Sequence, residues 1–137
     1  MKPTTHVQAP DSTDVRCVGL RATSAHRAQW ALAKLVAEQH PGLSARRVYR
    51  SLRRREQLGG TAMGGGIAIP HARIEGFSGT EIVVGVLDET VPYETPDGEP
   101  LRMMALVVSD PARPEEHLAA LSRVARALAG MKPRFPM

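Results

Sequence analysis

The sequence predicts a layered α/β or mixed α+β domain, on three observations. Its 137 residues, 42% of them apolar, suffice for one domain with a real core. Two runs, Glu81–Leu87 and Leu101–Ser109, are apolar enough to be central strands of a sheet. Two capped helical patterns precede these strands and a third follows, an order that suits layers of helix on sheet.

In chain order, residues 1–13 mix Pro, Thr, Ser, Gln and Asp without periodicity and read as a flexible tail. Val15–Leu20 reads as a short strand or extended segment. Thr23 or Ser24 can cap the next helix, in which Ala28, Ala31, Leu32, Leu35 and Val36 recur at helical spacing. Trp30 on that helix reads as a packing residue. Pro41-Gly42 ends it near Gln39-His40.

Ser44 caps a second helix, whose apolar stripe is Val48, Tyr49 and Leu52, continuing to Leu58. That helix carries Arg46, Arg47, Arg50, Arg53, Arg54 and Arg55. The arginines read as a solvated face or as a phosphate-binding surface. Arg54 and Arg55 come at its end, just before a glycine loop.

Gly59 to Gly66 holds five glycines among eight residues. Glycine tolerates positive φ, and a run of free N–H groups can converge on an anion. Ile67-Ala68-Ile69 reads as a buried strand that Pro70 stops, since proline cannot donate to a sheet. His71 then stands at a strand end beside the glycines, on a fixed backbone suited to chemistry. Residues 72–79 read as a loop, and 91–100, with three prolines and Asp97-Gly98, as loop and turn. After the second central strand, Asp110–Pro114 closes the turn. Glu115-Glu116-His117 opens a helix with Leu118, Leu121, Val124, Ala125 and Leu128 as its stripe. Gly130 ends that helix, and residues 131–137 form a short tail.

Composition narrows the function. The net charge of +4 and pI near 9.8 permit an acidic partner or nucleic acid. Only 4% of residues are aromatic, which supplies base stacking poorly. No apolar run approaches a membrane span, and the N-terminus has no signal-peptide core, so we expect a soluble, cytoplasmic protein. Cys17, the single cysteine, lies in an apolar stretch and reads as a buried inert thiol. His71 with His117 could hold a metal, but no third ligand is evident in the sequence.

Taken together, Arg55-Glu56, Gly59-Gly60-Thr61, Gly64-Gly65-Gly66-Ile67-Ala68-Ile69-Pro70-His71-Ala72, Asp97-Gly98 and His117-Leu118 resemble the enzyme IIA domain of the mannitol/fructose class. That family belongs to the bacterial phosphoenolpyruvate-dependent sugar phosphotransferase system and includes the standalone nitrogen-regulatory enzyme IIA proteins. The Gly-Ile-Ala-Ile-Pro-His run is its most specific motif. The resemblance implies a mixed β-sheet flanked by helices on both faces, with residues 14–130 as the domain and the family's last helix absent. It implies that His71 accepts a phosphoryl group at its tele nitrogen, that Arg55 contacts the phosphate, and that His117 is a second active-site histidine. Thr61, Gly64, Gly65 and Gly66 would form the phosphate loop. Relatives commonly carry Thr-Gly-Ile-Gly-Asn-Gly there; Ala62 and Gly65 depart from that pattern.

A histidine titrates near neutrality and can serve as an unprotonated nucleophile. The implied scheme needs no metal or cofactor, only a phosphorylated donor: HPr or its nitrogen-type counterpart. The acceptor or target would be a regulated transporter or kinase, or enzyme IIB in fructose or mannitol uptake. The chain would be a phosphoryl carrier rather than a turnover enzyme. Three further readings stand beside it: a binding module that is never phosphorylated, a nucleic-acid binder using the Arg46–Arg55 face, and the metal site. Neither direct nucleic-acid contact nor membrane insertion is expected.

Overall fold

The computed structural model describes residues 5–8, 14–93 and 95–131. They form one mixed sheet with helices on both faces, as the resemblance implies. In chain order the elements are β1 (Thr5–Gln8), β2 (Asp14–Leu20), α1 (Ala25–Glu38) and α2 (Ala45–Gln57). Then come β3 (Ala62–Gly64), β4 (Ile67–Ala68), β5 (His71–Arg73), β6 (Thr80–Val91), β7 (Leu101–Ser109) and α3 (Pro114–Met131). The sheet order is β1-β2-β6-β7-β4-β3, and β5 also pairs with β7. The central pair β6–β7 is antiparallel, β2 joins β6 in parallel, and β4 and β5 both run parallel to β7.

Strand alternation divides the core into two layers. Met104, Leu106 and Val108 of β7, with Val83 and Leu87 of β6, face α1 and α2. Met103, Ala105 and Val107, with Ile82 and Val84, face α3. This period of two fixes which side every later residue faces. Ser24 and Ser44 cap α1 and α2, each side chain accepting an N–H three residues on, from Arg27 and Arg47 at 3.1 Å.

Gly85 faces α1, where a side chain has no room. A Cβ there would lie 2.4 Å from Leu20 Cδ1 and 3.2 Å from Leu32 Cδ2. Leu32 is fully buried, so relief has to come from turning Leu20 within its own packing. Gly85→Ala is expected to cost about 1–3 kcal/mol, read as a lowered urea midpoint. An unchanged midpoint would mean that Leu20 moves aside freely.

Several expectations need correction. Residues 5–8, placed in the tail, form β1, an edge strand on β2 with His6 opposite Arg16. Backbone pairing alone suffices for an edge strand, so no apolar pattern marks it. The rest of that tail, and residues 132–137, lie outside the described residues. The chain does not leave the sheet at Pro70. Pro70 interrupts pairing, but its carbonyl accepts the Val107 N–H at 3.0 Å, and β5 resumes on β7 within the stretch read as loop. The strand read as Glu81–Leu87 extends to Val91. Two stripe residues fail: Leu58 is 82% and Leu118 67% exposed. Trp30 lies at the surface, edge-on to Tyr49 with ring centroids 5.6 Å apart. Cys17 is half-buried, and burial pushes its thiol up.

Candidate functional site

His71 is the first residue of β5, opposite Val107, and Arg73 is opposite Ser109. Ile67 and Ile69 pack in the α3 layer, whereas Ala68 and Ala72 pack under α1 and α2. Alternation therefore turns His71 and Arg73 toward α3. From α3, His117 meets them in the first helical turn, 8% exposed. The two imidazole centroids are 5.3 Å apart, nearly edge to face at 78°. Ser109 Oγ is hydrogen-bonded to His117 Nδ1. That contact fixes the ring and leaves Nε2 as the nitrogen free for other partners.

The electrostatics follow from burial and neighbouring cations. Burial lowers the His71 pKa to about 4, helped by His117, Arg55 and Arg73. The His117 pKa is lowered too, by burial, then Arg73 and Arg55. Both rings are therefore neutral at neutral pH. For a basic group, the folded state then binds fewer protons than the unfolded chain between pH 6.5 and about 4. The stability from neutral His71 is complete above 6.5 and declines as pH falls through that window. The urea midpoint of the wild type is expected to fall with acidification across it, and less so for His71→Ala. Equal slopes for the two proteins would contradict this account.

Arg55 approaches from the opposite layer. It lies in the last turn of α2 and donates from Nη1 to the Gly59 carbonyl at 2.8 Å. The α2 helix is held on edge strand β5 by Ser51, whose Oγ accepts the Arg73 N–H at 2.8 Å. His71 and His117 lie ring to ring, with Arg55 near enough to act on the charge of both.

The glycines divide into two groups. Gly65 and Gly66, both at positive φ (68° and 79°), form the two-residue turn between β3 and β4. The Gly65 N–H donates to Asp97 Oδ2 at 2.7 Å, and that contact heads the causes that lower the Asp97 pKa. A Cβ on Gly66 would lie 3.0 Å from the Pro100 carbonyl. Along β7, this turn joins at Met103, four residues from the Val107 partner of His71. At about 3.3 Å per residue that is about 13 Å. Gly64, Gly65 and Gly66 therefore shape a hairpin away from His71. Thr61 braces the loop instead: its hydroxyl donates to Glu56 Oε1, while the Tyr93 hydroxyl donates to Glu56 Oε2 at 2.7 Å. Burial and Glu56 push the Tyr93 pKa up.

The glycines beside His71 are Gly59 and Gly60. Ala62 pairs with Ala68, and the Ile69 N–H donates to the Thr61 carbonyl at 3.0 Å. Continued outward, that antiparallel register sets Gly60 and Gly59 alongside Pro70 and His71. A Cβ on either would meet nothing within 4 Å, so open space adjoins them. Sequence reasoning passed over them as site residues, together with Arg73 and Ser109. The signal for Arg73 was present: two positions from His71 on a strand is the same face. Among the described residues, no group of three or more His, Cys, Asp or Glu is placed to hold a metal ion.

The site thus pairs two histidines within electrostatic reach of two arginines, on a mixed sheet sandwiched by helices. Residues 12–132 match the family described as the phosphoenolpyruvate-dependent sugar phosphotransferase system, EIIA 2, and the chain belongs to it. It is 37% identical over 97 residues to a nitrogen regulatory protein of Pseudomonas aeruginosa, covering 71% of this chain and 63% of that one. It is 33% identical over 126 residues to a nitrogen regulatory protein of Bradyrhizobium diazoefficiens, covering 92% and 80%. The chain thus spans less than two thirds of the Pseudomonas relative. Among solved structures, the nitrogen regulatory protein IIA-Ntr of Neisseria meningitidis superposes with a TM-score of 0.75 at 28% identity, over 84% of this chain and 77% of that one. The mannitol IIA of Escherichia coli has the same fold, with a TM-score of 0.66 at 18% identity over 84% and 79%. Among the described residues no helix is long and apolar enough to cross a membrane.

Proposed function

We propose that the chain is a phosphohistidine carrier whose phosphorylation state regulates partner proteins. His71 Nε2 is the acceptor, and an HPr-type phosphocarrier is the donor. The observation that carries this is the neutral His71 ring, held against His117 between Arg55 and Arg73. A neutral imidazole has a lone pair free to attack phosphorus. In the transfer, the P–N bond of the donor phosphohistidine breaks as the bond from phosphorus to Nε2 forms. The donor imidazole recovers its electron pair, and no cofactor or metal takes part.

Positioning and charge stabilisation carry such a transfer. Arg55 and Arg73 offset the charge on the equatorial oxygens, Arg55 with a planar fork suited to two of them. The Gly59 N–H is taken by the Glu56 carbonyl at 3.1 Å, so any backbone donor to those oxygens falls to Gly60. His117, its other nitrogen held by Ser109, donates or accepts one further hydrogen bond.

The regulatory reading is favoured by the relatives. Nitrogen regulatory proteins match at 37% identity over 97 residues (Pseudomonas aeruginosa) and 33% over 126 (Bradyrhizobium diazoefficiens), whereas a fructose-specific EIIABC component of Bacillus subtilis matches at 33% over 87. Passing the phosphate to an enzyme IIB is the second reading. It is supported by a solved complex of mannitol IIA with phosphorylated IIB, whose IIA has this fold.

The test is intact-mass spectrometry after incubation with phosphoenolpyruvate, enzyme I and HPr. One acid-labile phosphoryl group per chain is expected, and an unmodified mass with active donor proteins would refute the carrier role. Adding a IIB domain then separates the two readings, since only the transport reading has the phosphate leave for IIB. His117→Ala is expected to slow onward transfer more than uptake, by on the order of 10²-fold. Equal rates to wild type would reduce His117 to a packing residue.

A further inference from the structure

The paired helices α1 and α2 present a second surface that the phosphotransfer site does not use. Together they carry eight arginines and lysines against two glutamates, on a chain whose net charge is only +4. Two of these cations have local work: Arg47 Nη2 reaches the Glu75 carbonyl, and Arg55 holds Gly59. Arg27 and Lys34 of α1, and Arg46, Arg50 and Arg54 of α2, are exposed, and none is in an ion pair among the described residues.

The arrangement is regular. On α1, Arg27, Trp30 and Lys34 follow one another at i, i+3 and i+7; on α2, Arg46, Arg50 and Arg54 do so at i, i+4 and i+8. Each set lies on one helix face. The helices run antiparallel: His26 and Arg53 line one cleft, and Trp30 meets Tyr49 midway. The result is two rows of cations flanking an aromatic seam, about 12 Å long at 1.5 Å per residue.

We propose that this face docks an acidic amphipathic helix of a partner protein, with carboxylates on the two cation rows and an apolar side chain on the Trp30–Tyr49 seam. The chemistry disfavours the other occupants. Both helices are packed flat on the sheet through Ala28, Leu32, Val48 and Leu52, so neither can enter a duplex groove. Single strands require successive stacking platforms, and a bilayer requires several inserting apolar groups; within α1 and α2 themselves Trp30 is the one exposed large apolar side chain, with Leu58 just past the end of α2. A second copy would bring like charges together. At this size, below the ~800 Å² per partner of standard complexes, the interface is transient and salt-sensitive.

The test uses a fluorescein-labelled peptide of about 14 residues, with glutamates at i, i+4 and i+7 around one leucine, and a scrambled peptide of the same composition. Anisotropy measures binding, and the emission of Trp30, the only tryptophan, locates it. Saturable binding with a Trp30 change is expected, weakened about tenfold or more by scrambling, by added salt and by the triple variant Lys34→Glu, Arg46→Glu, Arg50→Glu. Single reversals, with circular dichroism, guard against misfolding. Equal binding of the scrambled peptide, binding without a Trp30 change, or tighter binding of single-stranded DNA or phosphatidylglycerol vesicles would each overturn the proposal. Phosphoryl uptake by the triple variant and peptide binding by His71→Ala are both expected to be unchanged, so this surface and the carrier reading fail separately.

Discussion

Alanine at position 71 is expected to abolish phosphoryl acceptance while leaving the fold intact. The nucleophile needs a lone pair on an accessible nitrogen at working pH, and burial among cations keeps His71 in that state by lowering its pKa to about 4. The neighbouring histidine cannot take over. His117 is only 8% exposed, which keeps its ring from a docked donor. Nor does the fold depend on the imidazole, because His71 enters the sheet through its backbone, in register with Val107. Loss of the phosphoryl mass increment with unchanged circular dichroism is therefore expected. Uptake by the wild type should persist as pH is lowered below 6.5, where an ordinary histidine would already be protonated, and fail only toward 4. A His71→Ala protein that still gained an acid-labile phosphoryl group would move the site to another residue.

The site was legible where local chemistry and motif agreed. Ile67-Ala68-Ile69-Pro70-His71 fixes both a buried extended segment and the half-buried residue at its break. The Ser24 and Ser44 caps and the apolar run of β7 likewise name their own structure. What was hidden depends on partners remote in sequence. The Gly64–Gly66 turn resembles an anion cradle until Asp97, from another loop, is seen to take the Gly65 N–H. Gly59 and Gly60 gain their place only through the β3–β4 register. The β5 strand has three residues and no apolar run, and exists because β7 supplies a ladder and Ser51 covers its outer edge. Leu58 and Leu118 fit a helical stripe by spacing, yet Leu58 is the cap just beyond the end of α2, and Leu118 sits one position round α3 from the His117, Ala120, Val124 and Leu128 line that packs on the sheet.

Truncating Leu106 to alanine is expected to be the most damaging core change. Leu106 is fully buried at the middle of β7, opposite Val83, in the layer that α1 and α2 cover. It cannot be replaced by movement of its neighbours, because β7 is paired with β6 on one side and with β4 and β5 on the other. A rigid site collapses little around a cavity, so the cost should lie near the upper end of the Leu→Ala range, about 3–5 kcal/mol. Against a typical total of about 5–15 kcal/mol this is a large share. The urea midpoint is expected to drop by about 1–3 M. The effect on the site should be much smaller. Val107, the next residue, points to the α3 layer and sets the register of His71 through backbone contacts that the truncation does not remove. Phosphoryl uptake in the absence of denaturant is thus expected to survive while stability falls. A cost below about 1 kcal/mol would mean that α1 and α2 are not packed tightly on β7. Loss of uptake by a still-folded variant would mean that the two faces of β7 are coupled, and that the α1–α2 layer sets the position of His71.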